Sequence, residues 1–271
     1  MMTEYRQYLM EEERSEATVE KYLRDAQKFI LWLGDRELTK QAVVEFKQSL
    51  LPDYKIASAN SILSAVNSYL TFLGRTDCRV KIYKYQPEAF CPEEKELTKE
   101  EYERLLNASR DNPQLNLLMQ TICATGIRVS EHKFITVEAA KAGKAVVRNK
   151  GKSRTVWLPK KLCKALLKYA KKQKIQSGSI FVTKHGNPLD RSRIWAMMKK
   201  LCQAARVLAE KVFPHNLRHL FARMYYTLEK DIARLADILG HSSINTTRIY
   251  TRESGEVHRR QIERMPLLHI T

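Results

Sequence analysis

No run of apolar residues in this chain approaches the roughly 20 that a membrane-spanning helix needs, so no integral helical membrane protein is expected. The opening stretch MMTEYRQYLMEEERSE is acidic and polar, where a secretory signal would be basic and then apolar; export is not expected either. Cysteine is scarce. The five thiols, Cys78, Cys91, Cys123, Cys163 and Cys202, are odd in number and widely spaced. No CxxC and no Cys/His pair at metal-ligand spacing occurs among them, which argues against a disulfide framework and a structural zinc. No internal repeat or low-complexity tract stands out. A cytoplasmic, reduced protein with no metal and no cofactor is the expectation.

Acidic residues are in short supply over part of the chain only. Of 271 residues, 48 are Lys or Arg and 30 Asp or Glu, a net charge of +18. Residues 1–85 hold 13 basic and 12 acidic side chains; the remaining residues hold 35 and 18. A domain so unbalanced must sit near a polyanion or bear its own repulsion, and nucleic acid is the usual partner.

The expected fold class is mainly α with a small β-sheet. ATVEKYLRDAQKFILWLG places Val19, Tyr22, Leu23, Ala26, Phe29, Ile30 and Leu33 at helical spacing, with Gly34 as a stop. LTKQAVVEFKQSLL and SANSILSAVNSYLTFLG read as further helices, so residues 1–82 form a bundle of three or four. KIYKYQPEAFCPEEKE, with two prolines and no period, reads as a linker ending at residue 96. Thr98 and Glu101 then form a capping box, opening a mixed domain over 97–271. There QLNLLMQTICATG and KKLCKALLKYAKK read as helices, residues 145–158 as a hairpin and SIFVT as a short strand. RSRIWAMMKKLCQAARVL, HNLRHLFARMYYTL and DIARLADILG read as successive helices.

Four stretches combine polar groups with tight local constraint. In ATGIRVSE, Gly126 ends a helix and Arg128 stands near the N–H groups of the next helix start, a place that suits an anion. In NKGKSR, Gly151 lets the backbone approach a ligand while Lys150 reaches in. In HNLRH, His215 and Arg218 are three apart and share one helical face, whereas His219 falls off it and reads as structural. In LGHSSINTTRIYT, His241 follows a glycine stop and Tyr250 lies nine residues further on. Each has an ordinary structural explanation alone. Together they are what metal-free phosphoryl transfer needs: fixed cations for the non-bridging oxygens, a nucleophile and an acid for the departing oxygen.

These four boxes, in this order, resemble the tyrosine recombinases or phage-type integrases, in the short two-domain form of the Xer recombinases. The resemblance covers essentially the whole chain. It implies an N-terminal helical core-binding domain, SAM-like, and a mixed α/β catalytic domain that together clamp double-stranded DNA. It implies that Tyr250 attacks a phosphate, leaving a 3′-phosphotyrosyl link and a 5′-hydroxyl. Arg128 and Arg218 would hold the non-bridging oxygens, Lys150 would protonate the leaving oxygen, His215 would assist proton transfer, His241 would hydrogen-bond the phosphate, and Glu131 would support the cations. It implies a homo-oligomer, tetrameric on DNA and monomeric when free.

Three departures from the family pattern stand out. His132 occupies a place that is usually leucine, asparagine precedes Lys150, and the lysine box is one residue short, which leaves Lys152 as a rival acid. Base reading is expected from Ser61–Asn67 and from RSRIW in the major groove. The apolar end of TRESGEVHRRQIERMPLLHIT packs on its own domain or, as the resemblance implies, on a neighbouring protomer. A type IB topoisomerase and a catalytically silent DNA-binding protein remain alternatives.

Overall fold

The computed structural model describes residues 1–84, 96–149, 151–241, 243–248 and 263–264. Lys150, Tyr250, most of the expected linker and nearly all of the C-terminal tail therefore lie outside the described residues. The chain divides into two compact units, Met1–Pro87 and Glu88–Thr271.

In the first unit, α1 (Met2–Glu11), α2 (Glu16–Leu33), α3 (Lys40–Ser49) and α4 (Ile56–Phe72) surround one core. Val19, Ala26 and Phe29 recur on one stripe of α2, and that stripe is buried. Phe29 meets Phe46 of α3 edge-on at 5.0 Å, and Tyr5 of α1 meets Tyr69 of α4 the same way at 5.0 Å. Helix α1 was not singled out by pattern, because only Tyr5 and Leu9 of its ten residues are buried. After α4 the chain runs back along that helix, pinned by two asparagines. Asn67 Oδ1 accepts from Val80 N at 2.9 Å and its Nδ2 donates to Val80 O at 2.8 Å; Asn60 brackets Tyr83 in the same way, at 2.8 and 2.9 Å.

That pinning revises the expectation for Ser61–Asn67. The stretch is mostly core-facing, and only Ser61 and Ser64 are exposed in it. Ser61 and Ser64 are therefore the groups of this stretch that face outward and could meet a base edge.

The second unit begins with α5 (Lys99–Ala108), opened by the Thr98/Glu101 capping box. Its central helix is α6 (Pro113–Thr125), which buries Leu115, Leu117, Leu118, Met119 and Ile122 in the core. The two buried hydroxyls on α6 donate to carbonyls one turn back, Thr121 to Leu117 O at 2.7 Å and Thr125 to Thr121 O at 2.5 Å, so neither is a burden in the core. Next come α7 (Val137–Ala142), the antiparallel strands β1 (Lys144–Asn149) and β2 (Lys152–Trp157), and α8 (Lys160–Lys172). Strand alternation turns Ala145, Val147 and Val156 inward and Val146 and Trp157 outward. Helices α9 (Arg191–Lys199), α10 (Cys202–Ala205), α11 (Pro214–Glu229), α12 (Ile232–Leu239) and α13 (Ile244–Arg248) complete the described part.

Two expectations need correction. SIFVT is not a strand of the sheet. Among the described residues it makes only isolated bridges, Thr136 with Ser179 and Val182 with Pro188, and the sheet has two strands. A short apolar run looks the same whether it enters a ladder or fills a core, and Ile180 and Phe181 are fully buried. RSRIWAMMKKLCQAARVL is not one helix either. It breaks between α9 and α10 and ends at Arg206 with φ +51°, a conformation that propensity does not reveal for an arginine.

Candidate active site

Three chain reversals bring the polar groups together. The first is at Gly126, which caps α6 in the left-handed region at φ +64°. A Cβ there would lie 2.4 Å from the Phe221 ring of α11, so this position has room only for glycine. Ile127 is then buried, and Arg128 starts a 3-10 turn over Val129–Phe134. The second is the entry to α11, where Pro214 occupies the first turn, tolerated because its missing N–H would have had no helical partner. It sets His215 at the helix start and Arg218 one turn on. The third is Gly240, which caps α12 at φ +65° and delivers His241.

Arg218 is 1% exposed, an unusual burial for a cation. Its Nη1 donates to Gly126 O at 2.5 Å and its Nη2 to Leu239 O at 2.7 Å. Both carbonyls lie at helix C-termini, where the dipole favours a positive charge. The same Nη2 lies 3.0 Å from His241 Nε2. A guanidinium can only donate, so Nε2 is the acceptor, and Nδ1 carries the proton it shares with Thr247 Oγ1 at 2.9 Å. Burial first, then the charges of Arg218, Arg128, Arg154 and His215, push the His241 imidazole down to about 4. His241 is neutral at pH 7.

Arg128 is held from one side by Glu131. The carboxylate Oε2 accepts from the Arg128 backbone N at 2.8 Å and Oε1 from Arg128 Nη1 at 3.1 Å. Glu131 is itself 1% exposed and takes a two-pronged pair from Arg154 of β2, Nη1 to Oε1 at 2.7 Å and Nη2 to Oε2 at 2.8 Å. Burial raises its carboxyl, but the Arg154 hydrogen bonds, the Arg128 N–H and both charges outweigh this, so the net shift is downward.

His215 is partly exposed at the cleft beside these cations, its imidazole shifted down first by the protein packed around it and then by Arg218, Arg128 and Arg191. It meets the His219 ring edge-on at 4.7 Å, so the two histidines share one face four residues apart, correcting the expectation that His219 turns away. His219 is pushed down to about 3, by burial and then by His215, Arg223 and Arg218.

A cleft of about 310 Å³ opens here, lined by Arg128, Ser130, Arg191, Trp195, His215 and Arg218 among others. The structure therefore gathers Arg128, Glu131, His215, Arg218 and His241, while Lys150 and Tyr250 lie outside the described residues. Lys152, the rival of Lys150, is exposed on β2. The cleft can hold a tetrahedral anion beside the Arg128 and Arg218 guanidinium groups, with the His215 imidazole in its lining and the His241 imidazole against Arg218.

Three contributors were not assigned to this site from the sequence. Arg191 and Trp195 were expected at bases, yet both line the cleft. Arg154 was missed, although it shares strand parity with the inward-facing Val156 and Leu158, and a charge at an inward position asks for a buried partner. Among the described residues no helix is long and apolar enough to cross a membrane.

Comparison with known proteins supplies relatives. The model described as "Phage integrase family" matches residues 95–256, and that for "Phage integrase, N-terminal SAM-like domain" matches residues 2–77. Tyrosine recombinase XerA of Pyrococcus furiosus is 28% identical over 276 residues, covering 99% of this chain and 94% of its own. A crystal structure of a lambda integrase(75–356) dimer bound to a COC′ core site is similar at TM-score 0.74 and 18% identity, covering 99% of this chain and 98% of that one. A lambda integrase tetramer bound to a Holliday junction is similar at TM-score 0.72 and 19% identity, covering 93% and 78%.

Proposed function

The chain belongs to the phage integrase family of tyrosine recombinases, enzymes of site-specific recombination that cleave and rejoin DNA, and on that premise we propose how its own residues divide the work. Tyr250 is the nucleophile. Its phenol oxygen attacks a backbone phosphorus, the bond to the 5′-oxygen breaks, and the 3′-phosphate stays on the tyrosine. Arg128 and Arg218 stabilise charge on the non-bridging oxygens, which rises as the five-coordinate transition state forms. His215, uncharged at neutral pH, takes the phenol proton; the cations that weaken its basicity are offset once an anionic phosphate sits among them. Lys150 protonates the departing 5′-oxygen. His241 donates from Nε2 to a phosphate oxygen in the tautomer that carries its proton there, with Thr247 Oγ1 then donating to Nδ1, and Glu131 holds Arg128. Attack by a 5′-hydroxyl from another strand reverses the step and rejoins the DNA.

The observation that carries this reading is the meeting of Arg128, Arg218 and His215 around one cleft, with His241 against Arg218. Residues 1–82 serve as the core-binding domain, 83–96 as linker and 97–271 as the catalytic domain, working on double-stranded DNA in the cytoplasm. The protein is monomeric when free and tetrameric on DNA, a reading that the lambda integrase tetramer supports.

Nicked duplexes of randomised sequence test the chemistry, because loss of the short fragment beyond the nick traps a covalent adduct. Wild-type protein should give an adduct stable in detergent, and Tyr250→Phe should give none while binding the same DNA. An adduct with Tyr250→Phe removes that residue from its role. A 5′-bridging phosphorothiolate at the cleavage position needs no acid, since the thiolate leaves unaided. It should restore Lys150→Ala; rescue of Lys152→Ala instead would move the acid to that residue.

A further inference from the structure

Arg128 has a problem that its own box creates. Its guanidinium and backbone N–H both bond the Glu131 carboxylate, and a carboxylate beside a phosphate-binding arginine competes with the phosphate for it. Left alone, a buried Glu131 would draw the Arg128 fork into a two-pronged pair, the geometry that guanidinium and carboxylate favour. Arg128 would then be neutralised and pulled back from the cleft it lines.

The structure shows what prevents this. Arg154 already takes both Glu131 oxygens, at 2.7 and 2.8 Å, leaving Arg128 a single longer side-chain contact at 3.1 Å. The Arg154 side chain is itself only 14% exposed, its Nε donates to Ile238 O at 3.0 Å, and Gly240 packs against its stem so closely that a Cβ there would be 2.7 Å from Cδ. Two buried-side cations share one anion, so the cluster keeps a net positive charge where Arg128 meets the cleft.

We propose that Arg154 is a positioning residue that occupies Glu131 and so keeps the charge and fork of Arg128 available to the scissile phosphate. Its contacts also tie β2 to the turn that delivers His241, through Ile238 O and Gly240. Arg154 touches no substrate in this scheme; it acts through Glu131. The inference rests on the reading of Arg128 as a phosphate ligand.

The test measures single-turnover adduct formation on a nicked duplex enriched from the randomised pool, with saturating protein below the melting transition. Arg154→Met keeps most of the stem but not the charge. It should slow adduct formation by about tenfold or more with DNA affinity little changed, as expected when one transition-state cation is lost. Adding Glu131→Gln removes the competing anion while its amide oxygen can still accept from the Arg128 backbone N–H, so the double variant should recover part of that loss. Arg154→Lys engages one carboxylate oxygen only and should be slowed less than Arg154→Met. Wild-type rates in the single variants, or no recovery in a folded double variant, would overturn the assignment. Where Arg154→Met does not fold, Arg154→Lys decides alone: slower cleavage at unchanged affinity supports the proposal, and a wild-type rate overturns it. A wild-type protein that forms no adduct removes the reading of the site and this inference together, whereas a wild-type adduct with indifferent Arg154 variants removes the inference alone.

Discussion

Gly126 carries more of the site than any single charged residue does, because it must satisfy two demands at once. Its φ of +64° is costly for any residue with a Cβ, and a Cβ would overlap the Phe221 ring. Gly126→Ala should therefore cost about 2 kcal/mol or more, combining left-handed strain with overpacking, read as a lower urea midpoint at unchanged slope. A midpoint equal to wild type would show that Phe221 moves aside freely. At this scale the sequence was informative about what it punctuates. Gly34, Gly126 and Gly240 were read as helix stops, and each caps its helix at positive φ. Arg154 closes the basic stretch NKGKSR and so passes for solvated surface; its strand parity with Val156 hints that it points inward, but its partner Glu131 is set by packing.

Helix α11 shows what periodicity reveals and what it hides. The three-residue spacing of His215 and Arg218 was readable, but the depth of each was not: Arg218 is buried against two carbonyl ends while His215 stands exposed. This helix and the turn after α12 together hold a pH dependence. His219 and His241 are pushed to about 3 and about 4 in the folded protein, below the ordinary 6.5 they regain on unfolding. Above pH 6.5 neither state binds the protons and the stabilisation is full. As pH falls below 6.5 the unfolded chain protonates first, so stability declines, down to about pH 3 to 4. A urea titration should give a lower midpoint at about pH 5 than at about pH 7.5, and His219→Gln should shrink the difference. An unchanged midpoint would mean that the imidazoles are not held neutral. Carboxylates such as Glu131, whose pull is also toward lower pH, enter only below pH 4.5. The pattern was weakest where an element is short, as in SIFVT and at the α9–α10 break.

For the whole molecule, charge is the leading property. With +18 overall, and nearly all of it after residue 85, affinity for duplex DNA should be set largely by phosphate contacts. Six such contacts would weaken binding by roughly 10³-fold between about 50 and 200 mM salt, measured by fluorescence anisotropy. A flat salt response would refute a phosphate-led interface. Mass measurement in solution should find single chains without DNA and four with it; stable tetramers without DNA would contradict the proposed assembly. Most helix positions, apart from α1 and the α9–α10 break, together with the hairpin, the capping box and the order of polar boxes, followed from the sequence, because these depend on periods and caps that act over a few residues. That Arg128, Arg218, His215 and His241 gather, that Glu131 is shared between Arg154 and Arg128, and that His219 meets the His215 ring were decided by tertiary packing. Contacts across 23 to 112 residues, such as Arg154 with Glu131 and Arg128 with Gly240, carry no local signature, since the partners are chosen by how helices stack rather than by their neighbours in the chain.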